Sequence, residues 1–458
     1  MLEMLQNLVN LLNEYLSIIL IVTLVGTGIY FTFRLKFVQI TNFGASFKAV
    51  FGNIKLRGDA AGADGMSSFQ SLATAIAAQV GTGNIAGAAT ALVLGGPGAI
   101  FWMWVSAFFG MATIFVEASL AQKYKTTVDG EVTGGPAYYL RAAFPGKFGK
   151  ALAGIFAVLL ILALGLIGNM VQSNSIGTAF KSAFGINPLI IGIIVAIACF
   201  FIFRGGVKAI ASVVEKLVPI MALVYILGSL IVIIANITEL PHVLSQIFVG
   251  AFNPSAVGGG IAGVTVMKAV RYGVARGLFS NEAGMGSTPH AHAVAKVKHP
   301  CDQGLVAMMG VFIDTFIVLN MTVFVVMITG VLDYKETGIA LAQKAFNATL
   351  GNFGPILIAI CLFFFAFSTI IGWYFFAEQN IKYLFGKKAV PVFSILVCLF
   401  VILGSALEVE LVWSMADLFN SAMVLPNLLG ILGLSKVASQ LYKEFNENKA
   451  LKLKQANK

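Results

Sequence analysis

The sequence predicts an all-α protein that crosses a membrane many times, and three features predict it: the composition, the length of the apolar runs and the placement of the basic residues. Of the 458 residues, 58% are hydrophobic and only 11% are charged. Soluble globular domains carry about 25% charged residues, so this composition excludes them. The cysteines are scattered singly and form neither a disulfide framework nor a metal-ligand pattern: Cys199, Cys301, Cys361 and Cys398.

Apolar runs long enough to cross a bilayer recur along the whole chain. A helix needs about 20 apolar residues to cross a hydrocarbon core of about 30 Å. On this rule we predict about eleven transmembrane helices, at Leu16 to Phe33, Phe69 to Leu94, Ala99 to Ala121, Ala151 to Gly177, Pro188 to Phe203, Leu217 to Ile237, Ile261 to Val294, Val306 to Val331, Pro355 to Phe385, Val390 to Leu407 and Leu411 to Leu434. The run from Ile261 to Val294 is too polar for hydropathy to find it, and it is included because of the interruption described below.

The basic residues alternate between the segments that connect these runs. Of the 30 Lys and Arg residues, most fall in every second connecting segment or in the C-terminal tail, whereas the other segments hold only Lys181, Lys335 and Lys344. The positive-inside rule therefore predicts a multi-pass protein of the plasma (cell inner) membrane with the N-terminus outside and the C-terminus cytoplasmic. The net charge of +10 predicts contact with anionic membrane lipid and no nucleic-acid binding, because it is spread over cytoplasmic loops and a tail. We expect that tail to be solvated and frayed.

Two of the runs are interrupted by glycine-rich polar stretches. Val80 to Gly87 reads VGTGNIAG, and Gly277 to Ser287 reads GLFSNEAGMGS. With the first helix set aside, these two runs lead the first and the second set of five helices, which is the pattern of inverted-repeat secondary transporters. We therefore divide the chain into an N-terminal helix with a basic loop (1–66), two five-helix repeats (67–240 and 241–435) and a basic cytoplasmic tail (436–458).

The glycines of VGTGNIAG allow more than one interpretation. Their spacing misses the dinucleotide-binding pattern G-x-G-x-x-G by one residue, and no strand precedes them. Close helix packing through Gly83 and Gly87 explains the glycines, but it does not explain Gln79, Thr82 and Asn84. A helix broken at membrane depth must line a cavity or be buried, and its freed N–H groups attract an anion while its freed carbonyl groups attract a cation. That combination suits a zwitterion that travels with Na⁺.

Several ionisable residues fall within or near the apolar runs, where they are functional by default. Glu282 is either functional or paired with Arg276 or Arg271. The sequence does not decide whether the others relay a proton or pair with Lys268, Arg271 or Arg276: Glu117, Asp314, Glu378 and Asp417. No Ser-His-Asp or Cys-His arrangement can be built from four histidines, so the sequence predicts no enzyme and no cofactor.

Longer motifs carry a resemblance to a known family. They are GTGNIAG from Gly81, GGPGAIFWMWVSAFFG from Gly95, TGGPAYYL from Thr133, GNMVQSNS from Gly168, SNEAGMGSTPHAHAVA from Ser280 and STIIGWYFFAE from Ser368. From about Gly26 to Asn427 the chain closely resembles the alanine or glycine:cation symporter family. The resemblance implies a leucine-transporter-like 5+5 inverted repeat preceded by one extra helix. It also implies import of alanine or glycine with Na⁺ or H⁺ by alternating access; an uncoupled channel-like pore and a transporter of another small solute are the alternatives.

The resemblance implies a substrate pocket around the two interruptions. Amide groups and the N–H of Thr82 or Gly83 would hold the substrate carboxylate, and Gln172 with carbonyls near Phe279 would hold its ammonium. Trp373 would form a bulky wall that leaves room only for hydrogen or methyl as the substrate side chain. Gln79 stands where a small Ser or Thr is expected, so we expect substrate size or cation coordination to differ there. The implied pocket residues are Gln79, Thr82, Gly83, Asn84, Gln172, Phe279, Ser280, Asn281, Thr369 and Trp373.

The same resemblance implies a Na⁺ site between the first interruption and the run from Pro355 to Phe385. Its ligands would be the carbonyl oxygens of Ala77, Val80 and Phe365 and the hydroxyls of Ser368 and Thr369. Oxygen ligands alone suit a hard monovalent cation. The alternative for the two hydroxyls is a hydrogen bond to the preceding turn of their own helix.

Overall fold

A computed structural model describes residues 2–52, 65–253, 265–332, 335–407 and 409–456, and within them the chain is almost entirely helical. Part of the predicted run from Ile261 to Val294 and the basic residues Lys55, Arg57 and Lys458 lie outside the described residues. The helices of the first half are α1 (Leu2–Arg34), α2 (Val38–Thr41), α3 (Phe43–Phe51), α4 (Ser68–Gln79), α5 (Ala88–Gly95), α6 (Gly98–Lys123), α7 (Pro136–Ala143), α8 (Lys147–Leu160), α9 (Asn169–Phe184), α10 (Pro188–Arg204), α11 (Gly206–Ala235) and α12 (Leu240–Phe252).

The second half continues in the same way. Its helices are α13 (Val266–Asn281), α14 (Pro289–Ala293), α15 (Pro300–Val311), α16 (Asn320–Ile328), α17 (Gly338–Leu350), α18 (Phe353–Phe385), α19 (Val390–Ala406), α20 (Val409–Gly433) and α21 (Ser435–Ala456). π-helical turns precede α5 (Gly83–Gly87), join α8 to α9 (Ile161–Gly168) and join α15 to α16 (Phe312–Leu319), and short 3₁₀ turns precede α12 (Ile237–Glu239) and α19 (Lys387–Ala389).

Length and composition identify the helices that can cross a membrane. Within the described ranges, eight helices are long and apolar enough, or nine if the bent pair formed by α4 and the helix after it counts as one. The outer faces of α10 and α11 are exposed and apolar, with Ile194, Phe201, Leu223 and Ile231 each more than half exposed. A face of this kind suits contact with lipid rather than water. By contrast, α18 is buried along most of its length.

Both interruptions predicted from the sequence break their helices. A capping box starts α4, in which the Ser67 hydroxyl accepts from the Gln70 N–H and the Gln70 side chain accepts from the Ser67 N–H. That helix ends at Gln79, and the helical segment Gly83–Gly95 that follows is bent by 47° from it. In the second half, α13 ends where Glu282 takes the left-handed conformation (φ 57°), and Gly284 and Gly286 follow at φ 93° and 77°.

A β-hairpin in the segment after α6 is a feature that the all-α prediction missed. Strand β1 (Thr126–Val128) pairs antiparallel with β2 (Glu131–Thr133), and Asp129 and Gly130 form the turn at φ 50° and 79°. An Asp-Gly pair is a strong signal for such a two-residue turn. Glu131 accepts hydrogen bonds from Lys382 at 2.8 Å and from Lys387 at 2.6 Å. Partial burial opposes its ionisation, but these two ammonium groups hold the pKa of Glu131 below its usual value.

The C-terminal tail is solvated as predicted over most of residues 443–451, but it is helical and not frayed. It forms the helix α21, which packs against α6, α15 and α20. Asn42 donates a hydrogen bond to the Tyr442 hydroxyl at 2.7 Å, and the Phe445 ring lies 5.4 Å from the ring of His299. The apolar and aromatic residues of the tail therefore dock it, which its high charge conceals in the sequence.

Candidate functional site

Five oxygen atoms from two helices meet where α4 ends. The Thr369 hydroxyl oxygen lies 2.9 Å from the Ala77 carbonyl oxygen and 3.4 Å from that of Val80. The Ser368 hydroxyl oxygen lies 3.4 Å from the Ala77 carbonyl oxygen. Both hydroxyls also lie within 3.0 Å of the Phe365 carbonyl oxygen, so the bond to their own helix is present as well. The structure thus brings together all five residues that the resemblance implied for Na⁺.

The break in α4 makes these carbonyl groups available. Val80 is extended (ψ 90°), so the helix cannot continue, and carbonyl groups in its last turn have no N–H partner within the helix. Gly81 lets α18 approach, since a Cβ atom there would lie 2.4 Å from the Thr369 hydroxyl oxygen. A larger residue at position 81 would therefore collide with the Thr369 hydroxyl.

The freed N–H groups of the first break have side-chain acceptors. The Gly81 N–H donates to Asn84 Oδ1 at 2.9 Å, and the Thr82 N–H donates to Gln172 Oε1 at 3.1 Å. Gln172 was expected to hold the substrate ammonium, but in this structure its side-chain oxygen accepts from the Thr82 N–H of the break. The Thr82 hydroxyl is buried and has no hydrogen-bond partner among the described residues.

The two breaks are joined to each other by side chains. Gln79 donates from Nε2 to the Asn281 carbonyl oxygen at 2.7 Å. This side chain, which is longer than the Ser or Thr expected at its position, therefore bridges the two breaks. Within the part of the chain that the structure describes, the Gln79 Oε1 atom is buried without a hydrogen-bond partner. Gly83 packs against the second break, because a Cβ atom there would lie 3.1 Å from a ring carbon of Phe279 and 3.2 Å from the Ser280 Cα atom.

Asp314 is a second link, and the sequence did not assign it to the site. Its carboxylate accepts from Asn84 Nδ2 at 2.6 Å and from the Ser280 hydroxyl at 3.0 and 2.9 Å, one residue from each break. Thr315 adds a further donor at 3.0 Å and also accepts from Asn281 Nδ2 at 3.1 Å. The signal that could have found Asp314 is an acid in the middle of an apolar run.

Trp373 lies against the second break as a wall. It is 1% exposed, and the Phe279 ring stands edge-on to it with centroids 5.9 Å apart. Its indole N–H donates to Glu282 Oε1 at 2.5 Å, and the Ser287 hydroxyl donates to Glu282 Oε2 at the same distance. Gly168 leaves room for the indole, since a Cβ atom there would lie 2.6 Å from it.

The pairing of Glu282 with a basic residue, which the sequence left open, is not formed among the described residues. Arg276 instead pairs with Asp417 through two hydrogen bonds of 2.8 Å. The guanidinium also lies over the ring of Trp413, 5.2 Å from its centroid. Glu282 is therefore a buried acid whose donors are an indole N–H and a hydroxyl.

Glu117 supports the backbone of the second break. Its two carboxylate oxygens accept from the N–H groups of Gly284 and Gly286, each at 3.0 Å. Asn427 donates to the same carboxylate at 2.5 Å and to the Gly284 carbonyl oxygen at 2.9 Å. A buried N–H group without an acceptor is costly, so Glu117 satisfies donors that the broken helix leaves free.

We expect Glu117→Gln to destabilise the second break. A carboxamide presents an NH₂ group to one of the two glycine N–H groups, and an unsatisfied buried donor costs about 1–3 kcal/mol. Thermal unfolding in detergent and hydrogen exchange of residues 282–288 measure the effect. Glu410→Gln is the control, because Glu410 is exposed at the start of α20. Equal stability and equal exchange in the two variants would contradict this role.

A known family and several known proteins are similar to this chain over nearly its whole length. The sequence model of the sodium:alanine symporter family matches residues 2–458. The sodium/alanine symporter AgcS of Methanococcus maripaludis is 44% identical over 96% of this chain and 97% of its own length. The amino-acid carrier protein AlsT of Bacillus subtilis is 41% identical over 96% and 92%. The probable sodium/glutamine symporter GlnT of the same organism is 41% identical over 98% and 92%.

Solved structures of other proteins are similar to this chain in fold. MhsT in complex with L-phenylalanine matches with a TM-score of 0.56 at 15% identity, over 83% of this chain and 98% of that chain. A mutant of the Eremococcus coleocola manganese transporter matches with a TM-score of 0.55 at 13% identity, over 82% and 80%. These similarities establish the leucine-transporter-like fold. With a family match over the whole chain, a membrane-spanning helical fold and two linked helix breaks at its centre, the chain belongs to the sodium:alanine symporter family of membrane transporters.

Proposed function

We propose that the chain is a Na⁺-coupled symporter that imports alanine or glycine by alternating access. The observation that carries the proposal is the cluster of five oxygen atoms at the end of α4. These oxygens are neutral, belong to two helices and include carbonyl groups freed by a helix break. Such a donor set suits a hard monovalent cation.

The position of the cluster supplies a physical route for coupling. Ala77 and Val80 precede Gly81 and Thr82, whose N–H groups are bonded to Asn84 and Gln172 here and would exchange these acceptors for the substrate carboxylate. A cation at the cluster would hold α4 against α18 and so fix the geometry of that break. Cation and substrate then favour the same conformation, which makes their binding mutually dependent.

Unpartnered polar atoms at the centre support a polar substrate there. Gln79 Oε1 and the Thr82 hydroxyl are buried next to the contacts that join the two breaks, and neither has a partner in the described ranges of the chain. Buried polar atoms of this kind are normally satisfied by a ligand or by water. They favour a substrate with its own donors, such as an amino-acid ammonium group.

The remaining terms of the proposal concern the membrane and the coupling ion. We place the protein in the plasma (cell inner) membrane, N-terminus outside and C-terminus cytoplasmic, because the basic residues follow the positive-inside rule. Na⁺ is favoured over H⁺ because the oxygen cluster holds no titratable side chain. Lipid, Na⁺ and a small neutral amino acid are the proposed partners, with no cofactor.

Uptake into proteoliposomes tests the proposal. We expect an inward Na⁺ gradient to drive accumulation of alanine or glycine, and a K⁺ gradient of equal size to drive none. Uptake driven by a pH gradient without Na⁺ would indicate proton coupling. Uptake of glutamine in place of alanine would indicate a larger substrate. Movement that follows only the solute gradient under every condition would instead indicate an uncoupled pore.

We expect Thr369→Val to weaken the Na⁺ dependence of uptake. The substitution keeps the shape of the side chain but removes the hydroxyl that lies near three carbonyl oxygens. The Na⁺ concentration for half-maximal uptake should rise about tenfold, which corresponds to about 1.4 kcal/mol. Thr329→Val is the matched control, because the Thr329 hydroxyl bonds the carbonyl four residues back, at Val325, as the Thr369 hydroxyl does at Phe365. An unchanged Na⁺ dependence in Thr369→Val would show that the cation binds elsewhere.

We expect Trp373→Ala to admit amino acids larger than alanine, because it removes the wall beside the second break. Competition by leucine and glutamine against alanine uptake measures the change. Trp373→Phe separates bulk from hydrogen bonding, since it keeps most of the wall but loses the N–H that donates to Glu282. Trp102→Ala is the control for loss of an indole elsewhere. If Trp373→Ala keeps the selectivity of the wild type, Trp373 does not limit substrate size.

A further inference from the structure

A cavity apart from the two breaks opens where α10, α11, α18 and α19 meet the β-hairpin. Its volume is about 680 Å³, within the range of about 300–1,000 Å³ that is usual for sites of small organic ligands. None of the residues implied for the substrate or for Na⁺ lines it. The cavity therefore belongs to a part of the fold that the proposed function does not use. Its wall includes Phe200, Arg204, Lys208, Tyr374, Lys387 and Ile395.

The cavity lies at the level where the membrane meets water. Arg204 is the last residue of α10 and Lys387 lies in the turn that precedes α19, and both side chains are exposed. Ile395, in the same wall, is 52% exposed, and Phe201, next to the wall residue Phe200, is 69% exposed. Basic residues at helix ends beside exposed apolar side chains are typical of the boundary between lipid headgroups and acyl chains. A ligand with a polar head and an apolar tail fits both parts.

The wall of the cavity has more positive than negative charge. The two acids in it are already paired, because Lys382 bonds both of them and Lys387 bonds one at 2.6 Å. Among the described residues, neither Arg204 nor Lys208 has a carboxylate partner. The excess charge is therefore carried by these two side chains, and it attracts an anion. The charged residues of the wall are the bases Arg204, Lys208, Lys382 and Lys387 and the acids Glu131 and Glu378.

The inner end of the cavity presents buried polar atoms that have no hydrogen-bond partner in the part of the chain that the structure describes. They are the hydroxyl of Tyr374, a residue that is 0% exposed, and Glu378 Oε2. The Tyr374 ring stacks on the ring of Phe203, the neighbour of Arg204, with centroids 3.6 Å apart. Buried polar groups almost always have a partner, so these atoms indicate a polar occupant. The phenol can donate to a phosphate oxygen, and the carboxylate oxygen can accept from an alcohol.

These features together select one class of ligand. Inorganic phosphate would meet the cations but would leave the apolar wall uncovered. A zwitterionic phospholipid would bring an ammonium group to a wall that is already positive. An anionic phospholipid with hydroxyls in its headgroup, such as phosphatidylglycerol, matches the cations, the phenol, the free carboxylate oxygen and the apolar wall. Basic pockets between transmembrane helices bind anionic lipid headgroups in this way.

We propose that this cavity is a binding site for an anionic phospholipid with a hydroxyl-bearing headgroup. The phosphate lies beside Arg204 and Lys208 and accepts a hydrogen bond from Tyr374. A headgroup hydroxyl donates to Glu378, and the acyl chains leave the cavity past Ile395. The site goes beyond the proposed transport function, and the bound lipid ties α10, α18 and α19 together at one end.

Lipid binding to the purified full chain in detergent tests the site. We expect native mass spectrometry to give a Kd for phosphatidylglycerol about tenfold below that for phosphatidylethanolamine. The double variant Arg204→Gln with Lys208→Gln should raise the Kd for phosphatidylglycerol about tenfold, because it removes the two unpaired charges. Tyr374→Phe should raise it about threefold, because it removes one hydrogen bond to the phosphate and leaves the charge unchanged.

A matched double variant controls for overall charge. Lys123→Gln with Lys436→Gln removes two positive charges from exposed residues outside the cavity, so it should leave the Kd unchanged. If the Arg204 and Lys208 double variant binds phosphatidylglycerol like this control, or if Tyr374→Phe binds it like the wild type, the lipid binds elsewhere and the inference is wrong.

The remaining outcomes concern the identity of the ligand. Phosphatidylglycerol should raise the Tm of the wild type, whereas inorganic phosphate should not. Equal Kd values for phosphatidylglycerol and phosphatidylethanolamine, or an equal rise in Tm with inorganic phosphate, would each contradict a site for an anionic lipid. These measurements need no transport, so absence of Na⁺-driven uptake would contradict the proposed function and leave this inference standing.

Discussion

A helix broken at membrane depth must find hydrogen-bond partners for its own backbone, and the rest of this structure depends on how the two breaks meet that constraint. No water is available in the hydrocarbon core, so each freed N–H and carbonyl group needs a partner from the protein or from a ligand. Here the N–H groups of the first break are held by Asn84 and Gln172, and those of the second by Glu117. The breaks are stable because buried polar side chains, Asn84 of the first break itself, Gln172 of α9 and Glu117 of α6, are directed at them.

The same side chains make one unit of the two breaks. Gln79 reaches from the end of α4 to a carbonyl of the second break, and Asp314 accepts from one residue of each. A change in one break is therefore communicated directly to the other. For a transporter this matters, because opening to either side requires that the helices leading the two repeats move in relation to each other.

Some polar groups of the site have hydrogen-bond partners and others have none. The backbone N–H groups of Gly81, Thr82, Gly284 and Gly286 are bonded to side chains. By contrast, side-chain atoms of Gln79 and Thr82 near the centre have no partner among the described residues. Side-chain atoms can exchange a ligand for water at small cost, while backbone groups are fixed by the fold. The acids Glu117, Glu282 and Asp314 accept hydrogen bonds from neutral donors, so among the described residues none of them depends on a basic partner.

The sequence by itself determined the membrane class, the two breaks and the residues that surround them, because these depend on local composition. Runs of apolar residues, the alternation of basic segments and glycine-rich polar interruptions are all readable within a window of a few turns. The motifs that resemble the family then implied Ala77, Val80, Phe365, Ser368 and Thr369 as one cluster, and the structure brings these residues together. Two local signals were also missed. Asp129 and Gly130 are a turn sequence that predicts the hairpin, and apolar residues within the charged tail predict that α21 docks.

Only the tertiary structure decided which polar groups became partners. The sequence offered Arg271 and Arg276 for Glu282, but Arg276 pairs with Asp417 and Glu282 meets Trp373, because residues that are distant in the chain are brought together by helix packing. It also offered no means to see that Gln79 spans both breaks or that Glu117 accepts from Gly284 and Gly286. Hydrogen-bond partners are fixed by distances of about 3 Å, and such distances are properties of the packed helices rather than of the order of residues along them.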